Sequence, residues 1–296
     1  MYRWKAMASP ISLHLPDLGE ELGEAVARAA AQDIEESEQA MSRFRADAEL
    51  VLLNARIGEW TEVSPRLYKA LSASWQAGRR TEGLFDPRVL RILEAYGYAG
   101  AARADGRDLP GPWLERSPRR RSVLLRAPVD LGGIGKGLAV RWAARIVRRV
   151  TQNYLLNAGG DLLFQGGGPD GSGWQIGIED PAQPARLKAA LRGAGHGAVC
   201  TSSIARLQWD HAGARVHHLI DPRTGTAGGT GLAAMTVIGS DPAWAEVLSK
   251  TLFLRGSDGI AQAARGRAVL WITPDGGLHA TPEAESYIFW RAAPDA

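Results

Sequence analysis

The second half of the chain contains a series of short apolar segments that follow one another with Gly- or Pro-containing turns between them. Such segments are typical of buried β-strands. The predicted strands are Tyr154–Ala158, Leu162–Gln165, Trp174–Ile178, Ala198–Ser202, Val216–Ile220 and Ala234–Ile238. Consecutive strands without intervening helices do not suit a regular βαβ winding, so the pattern favours an α+β architecture.

Helices are predicted on both sides of this strand-rich region. Residues Leu18–Phe44 carry apolar side chains at helical spacing with acidic residues between them, which indicates a long amphipathic helix after a first strand at Ile11–Leu15. The pair Ser64-Pro65 is typical of an N-cap followed by the first helical residue. Further helices are predicted from about Pro87 to Gly97, Lys136 to Arg149 and Asp241 to Leu254, and a last helix precedes a closing strand at Ala268–Thr273.

Composition excludes several classes of protein. The 296 residues are 45% apolar and 23% charged with a net charge of +3, as expected for a globular protein of one large domain or two small ones. The single cysteine, Cys200, excludes an internal disulfide framework and a cysteine-rich metal site. No segment approaches the roughly 20 apolar residues of a membrane span, and the N-terminus lacks the apolar core of a secretory signal. We therefore expect a cytoplasmic protein that does not span a membrane.

A basic segment is the only feature that points towards nucleic acid. Residues 100–128 are rich in Arg, Gly and Pro and are expected to form a surface excursion. Its cluster of Arg116, Arg119, Arg120 and Arg121 could contact phosphate, but runs of charge are usually solvated loops. A nucleic-acid partner is therefore not predicted.

The segment Val129–Gly137 is rich in glycine and precedes a predicted helix. A phosphate-binding P-loop does not fit, because Asp130 stands at its first glycine position and Gly137 at its hydroxyl position. The glycine spacing also differs from a dinucleotide-binding fingerprint. Backbone amides at a helix N-terminus together with Lys136 still indicate an anion site, although a tight connection between strand and helix would also explain the glycines.

Two further pairs of residues are candidates for chemistry. His217 and His218 are adjacent on a predicted strand, so only one of them can face a given site. Glu246 and Lys250 are four residues apart on a predicted helix and share one face, where an exposed salt bridge is the simplest interpretation.

Seven segments, taken in order, resemble the FAD:protein FMN transferase family, also called the ApbE family. They are Met7-Ala8-Ser9, the stretch from Met41 to Leu50 that ends at Asn54, Gly83–Pro87, Asp130–Gly137, Asn157–Asp161, Thr201–Ser203 and His218–Gly225. The resemblance runs from about Met7 to Gly256. Seven motifs in one order are far more specific than any one of them.

The resemblance implies a T-fold-like core, in which a mixed or antiparallel sheet is flanked by helices. It also implies an enzyme that binds FAD and transfers its FMN half to a Thr or Ser of a target flavoprotein, with release of AMP and the help of Mg2+. By position, the flavin and adenine contacts fall on Met7, Phe44, Leu84, Phe85, Asp86, Asp130, Lys136 and Ile220. His218 stands at the family's proton acceptor, where it would take the hydroxyl proton if its pKa lay near neutrality. Together with Lys136 and Lys250, it completes the expected catalytic set.

The family's metal positions fall on Gly133, Glu246, Ser249 and Lys250, and here the sequence departs from the pattern. The family typically has Ala-Asp-Ala-Leu-Ser/Ala-Thr where this chain has Ala245-Glu246-Val247-Leu248-Ser249-Lys250. A charged lysine has no lone pair for magnesium. Either the metal is shifted and keeps more water, or the Lys250 ammonium takes its place. Because of this departure, an FAD-binding carrier or regulator and an FAD-hydrolysing enzyme remain alternatives to the transferase.

Overall fold

The structure is a computed structural model that describes residues 1–101 and 108–293. Residues 102–107, within the predicted surface excursion, lie outside the described part. The α-helices are α1 (Glu20–Met41), α2 (Glu49–Asn54), α3 (Pro65–Arg80), α4 (Leu90–Ala95), α5 (Gly135–Val147), α6 (Pro242–Phe253), α7 (Gly256–Ala263) and α8 (Pro282–Glu285). A short 3-10 helix, Pro87–Val89, precedes α4.

The strands of the first half are β1 (Tyr2–Ala6), β2 (Ser9–His14), β3 (Thr61–Glu62), β4 (Leu114–Ser117) and β5 (Ser122–Leu125). Those of the second half are β6 (Tyr154–Ala158), β7 (Asp161–Gly166), β8 (Trp174–Glu179), β9 (Leu187–Gly193), β10 (Gly195–Ser203), β11 (Gln208–His211), β12 (Ala214–His217), β13 (Ile220–Asp221), β14 (Thr226–Ala227), β15 (Ala234–Gly239), β16 (Ala268–Ile272), β17 (Leu278–Ala280) and β18 (Ile288–Arg291).

An eight-stranded antiparallel sheet organises the fold, in the order β1-β2-β6-β7-β10-β15-β16-β17. Alternate residues of its strands enter different core clusters because successive side chains point to opposite faces. Leu156 and Cys200 pack with α1, α5 and α6, whereas Leu155 and Val199 pack with the smaller sheet β18-β9-β8. The predicted α+β architecture, with an antiparallel sheet flanked by helices, is confirmed.

The helix starts follow the predicted capping residues. The Ser64 hydroxyl accepts a hydrogen bond from the Leu67 amide at the start of α3, and Asp241 does the same for the Trp244 amide at the start of α6. The prediction of one strand over Val216–Ile220 is wrong. The chain forms two short strands there, because β12 pairs back with β11 and β13 pairs with β14 in a separate hairpin.

Part of the predicted excursion is a packed hairpin. Strands β4 and β5 join β3 in a small sheet, and Leu114, Val123 and Leu125 are buried in a core cluster with α2 and α3. Among the arginines of this segment, Arg116 lies over the ring of Trp75 at 4.4 Å. Within the described residues, no helix has the length and apolar character needed to cross a membrane.

Candidate active site

A cleft of about 1490 Å³ opens where the β1–β2 and β6–β7 turns meet the start of α5. The predicted site residues that line it are Met7, Phe44, Asp130, Lys136, His218 and Lys250. These residues come from widely separated parts of the sequence, so the fold brings together the motifs of both halves of the chain. A cleft of this size can hold a dinucleotide-sized ligand.

The glycine segment is held at the floor of the cleft by a buried asparagine. The Asn54 side-chain amide donates to the Val129 carbonyl at 2.9 Å, and its oxygen accepts from the Val129 amide at 3.0 Å. Asp130 then accepts from the Gly132 amide at 2.5 Å through one oxygen. Its other oxygen lies 2.9 Å from Arg43 Nε. The first part of the segment, from Val129 to Gly132, is therefore fixed before α5 begins at Gly135.

Two lysines and two carboxylates form an ion-pair cluster beside this loop. Lys136 pairs with Asp161, and its Nζ lies 3.9 Å from Glu246 Oε1. Lys250 Nζ lies 3.2 Å from the same Glu246 oxygen. Glu246 is completely buried, whereas the two lysines line the cleft. Desolvation lowers the pKa of Lys136, and the nearby Lys250 charge acts in the same direction. The cluster thus presents two ammonium groups to the cleft above buried acids.

A close approach of α5 and α6 positions this cluster. A Cβ added at Gly137 would lie only 2.5 Å from the Pro242 carbonyl oxygen and 2.6 Å from Ala243 Cα. Glycine therefore allows the first turns of the two helices to pack at backbone contact. At this distance the Gly137 amide donates to Glu246 Oε2 at 2.7 Å. The expected exposed salt bridge between Glu246 and Lys250 is in fact anchored in the interior.

The remaining predicted metal positions lie next to this cluster. The Ser249 hydroxyl is buried, contacts the Ser202 hydroxyl at 2.8 Å and donates to the Glu246 carbonyl at 2.9 Å. Gly133 lies beside the Lys250 side chain, since an added Cβ would be 3.5 Å from Lys250 Cδ. In the described part of the chain, no three His, Cys, Asp or Glu side chains are grouped so that they could hold a metal ion.

His218 lines the cleft, whereas His217 packs edge-on against the Phe253 ring with centroids 6.0 Å apart. Only His218 of the two therefore faces the cleft. His218 Nδ1 lies 3.4 Å from the Leu207 carbonyl. Burial, followed by the positive charge of Lys250, lowers the pKa of His218 to about 3. The free protein therefore does not meet the condition of a pKa near neutrality, and this imidazole is neutral at pH 7.

An aromatic group forms another part of the cleft wall. The Arg43 guanidinium lies over the rings of Phe44 and Tyr98, at 4.5 and 4.4 Å from their centroids. Tyr98 also stacks on Trp209, with centroids 5.4 Å apart. Phe44 remains about half exposed. A half-exposed ring beside a cleft suits stacking with a planar ligand ring.

Four residues predicted to contact the nucleotide do not line the cleft. Leu84, Phe85 and Ile220 are buried in the core, and the Phe85 ring lies against Gly133. Asp86 pairs with Arg88 at 2.6 Å and caps the 3-10 helix by accepting from the Arg88 amide. Their roles as ligand contacts remain predictions.

The residue-level predictions missed Asp161, Arg43 and Tyr98. Asp161 was visible as the last residue of the Asn157–Asp161 motif, but nothing in that motif indicates that it pairs with Lys136. Arg43 and Tyr98 are 55 residues apart and are joined by a hydrogen bond from Arg43 Nη1 to the Tyr98 carbonyl. Only the tertiary fold reveals this contact.

Comparison with known proteins identifies sequence relatives over most of the chain. The sequence model of the ApbE family matches residues 7–271. A Haemophilus influenzae protein named FAD:protein FMN transferase is 28% identical over 244 residues, which are 76% of this chain and 70% of that protein. A Rhodobacter capsulatus protein of the same name is 32% identical over 260 residues, 80% of this chain. This chain spans about half the length of the Rhodobacter relative, of which 49% is covered.

Solved structures share the fold. The ApbE protein of Thermotoga maritima is similar with a TM-score of 0.84 and 24% identity, over 97% of this chain and 98% of that one. The flavin transferase ApbE of Vibrio cholerae is similar with a TM-score of 0.79 and 23% identity, over the same shares of the two chains.

Proposed function

The chain belongs to the ApbE family, and from this premise we propose that its cleft binds FAD and transfers the FMN half to a Thr or Ser hydroxyl of a target flavoprotein. The observation that carries this proposal is the pair of ammonium groups, on Lys136 and Lys250, at the start of α5 and within the same cleft as His218. Ammonium groups form strong charge-assisted hydrogen bonds with phosphate oxygens, so this pair suits a diphosphate. We further propose that residues 1–296 form one flavin transferase domain.

The reaction requires a hydroxyl oxygen to attack the phosphorus of the FMN half. A new P–O bond forms to the acceptor, the bond between the two phosphates breaks, and AMP leaves with the bridging oxygen and its electron pair. Such a transfer depends mainly on positioning and on neutralising charge at the phosphate oxygens. We assign that neutralisation to Lys136 and Lys250. The Phe44 and Tyr98 rings are the proposed stacking surface for a ring of FAD.

His218 is the proposed acceptor of the hydroxyl proton. The imidazole is neutral at pH 7, so it has a free lone pair to take a proton. Its low pKa makes it a weak base in the free protein. A bound diphosphate brings negative charge next to Lys250, and this charge would raise the pKa of His218 when FAD is in place.

Magnesium is the cation that the family resemblance implies, and the surrounding side chains do not fit it. Both carboxylate oxygens of Glu246 already have partners, and the Ser249 hydroxyl is engaged in buried hydrogen bonds. Magnesium demands near-octahedral oxygen ligation, which these groups do not offer as they stand. No step of the proposed transfer depends on the metal.

A cytoplasmic location also stays a prediction.

The proposal is tested by incubating the protein with FAD and a flavin-free flavoprotein domain whose FMN is normally attached to threonine. We expect fluorescent flavin on the acceptor after denaturing electrophoresis and one AMP released per flavin attached. The matched control is His218→Asn, which should transfer slowly while still binding FAD. FMN that appears free in solution without an acceptor would indicate hydrolysis of FAD. FAD that does not bind at all would refute the proposed function.

A further inference from the structure

We infer that the Lys250 ammonium acts as the built-in cation of the site, so that FAD binds without a divalent metal. This inference rests on the proposed function, because it concerns how the same cleft holds the diphosphate. Lys250 follows Glu246 by one helical turn of α6 and ends at a position that the family resemblance assigns to a metal-binding threonine. The structure offers three independent observations in favour of the ammonium.

The first observation is that the Lys250 ammonium already forms an ion pair with the buried Glu246 carboxylate, to which a metal would have to bind. Lys250 Nζ lies 3.2 Å from Glu246 Oε1, and the Gly137 amide donates to Oε2 at 2.7 Å. A completely buried carboxylate needs this positive partner, because an unpaired charge in the interior is strongly unfavourable. A metal at Glu246 would have to displace the ammonium and leave two like charges in contact.

The second observation is that the Lys250 side chain extends from the buried acid into the cleft. Lys250 lines the cleft with about 18% of its side chain exposed, so its ammonium contacts both the buried acid and the ligand space. An ammonium carries three N–H donors. One of them serves Glu246, which leaves donors for phosphate oxygens. Lys136 has the same arrangement with Asp161 as its buried partner.

The third observation is the charge balance of the cluster. Two lysines oppose two acids, Asp161 and Glu246, so the cluster of these four side chains is neutral without a metal. Both acids are buried and both ammonium groups line the cleft, where an entering diphosphate would bring negative charge to them. A divalent cation would instead add to two positive charges already present.

The test measures FAD binding and FMN transfer in EDTA and in millimolar Mg2+, with Lys69→Met as the matched control. Lys69 is exposed on α3 and does not line the cleft. We expect wild type and Lys69→Met to bind FAD with the same Kd in both buffers. We expect Lys250→Met to bind about ten- to a hundred-fold more weakly, the loss typical of one charge-assisted hydrogen bond.

Two further variants keep the test decisive if Lys250→Met is poorly folded, which thermal unfolding would reveal. Lys250→Arg keeps the positive charge and should keep binding in EDTA. Glu246→Asp combined with Lys250→Thr restores the family's side chains and should make FAD binding depend on Mg2+.

The outcomes separate the two proposals. Wild-type FAD binding or transfer that is abolished by EDTA and restored by Mg2+ would overturn the inference and leave the proposed function standing. The same conclusion would follow if the double variant bound FAD in EDTA as tightly as wild type. Failure of the wild type to bind FAD in either buffer would refute the proposed function itself.

Discussion

Replacing His218 by Asn should make the protein less sensitive to acid. In the folded chain, burial and the charges of Lys250, His217 and Lys136 lower the pKa of His218 to about 3, and in the unfolded chain it returns to about 6.5. Between about pH 6.5 and pH 3, the His218 imidazole is therefore protonated in the unfolded chain but stays neutral in the folded protein. The contribution of His218 to stability is present above about pH 6.5 and is lost as the pH falls towards 3.

The size of the effect follows from the two pKa values. Between about pH 7.5 and about pH 5, the unfolded imidazole becomes almost fully protonated while the folded one stays neutral. The linked loss in the free energy of unfolding is about 2 kcal/mol. His14 and His217 also have lowered pKa values because they are partly buried, so the wild type loses more than this in total. The difference between wild type and variant isolates His218.

Urea unfolding at about pH 7.5 and about pH 5 measures this difference. We expect His218→Asn to lose about 2 kcal/mol less than wild type between the two pH values. The matched control is His279→Asn, because His279 is exposed on β17. That variant should follow the wild type. An equal acid-induced loss in wild type and His218→Asn would refute the assigned environment of His218.

Three other changes test the packing around the site. Gly137→Ala should cost about 1–3 kcal/mol of unfolding free energy in urea, because its Cβ would overlap the α6 backbone. The control Gly135→Ala lies in the same helical turn, where its Cβ would meet only Met7 Cε at 3.7 Å, and it should be neutral or stabilising. Equal effects of the two substitutions would contradict the close approach of α5 and α6. Asn54→Leu should cost about 2–4 kcal/mol, because it leaves two buried backbone groups unpaired, and a loss below about 0.5 kcal/mol would contradict this. Burial raises the pKa of Cys200 to about 12, so a thiol reagent should modify this residue only after urea unfolding. Rapid reaction of Cys200 in the native protein would contradict its burial.

Local sequence signals predicted much of the fold. The strand Tyr154–Ala158 has the predicted bounds, and the caps Ser64 and Asp241 mark the starts of α3 and α6. These features depend on neighbours a few residues away. The segment Val216–Ile220 was predicted wrongly because its apolar pattern fits one strand, whereas its pairing partners lie in two separate hairpins. Local β-propensity does not determine which distant segments pair as strands.

The site was only partly predictable for the same reason. The motifs located Asp130, Lys136 and His218, and each of them lines the cleft. Burial decides the electrostatics, and burial depends on the whole fold. The low pKa of His218 and the interior position of Glu246 therefore became visible only in the structure.

The backbone contact between α5 and α6 at Gly137 also determines how the cleft can adapt to a ligand. Helices that touch through their main chains cannot slide past each other without a steric clash. Any adjustment to the ligand must therefore come from the long side chains of Lys136 and Lys250, whose methylene chains are flexible. Their ammonium groups can move with the phosphate oxygens as the geometry changes during a reaction, while the backbone of the two helices keeps its position.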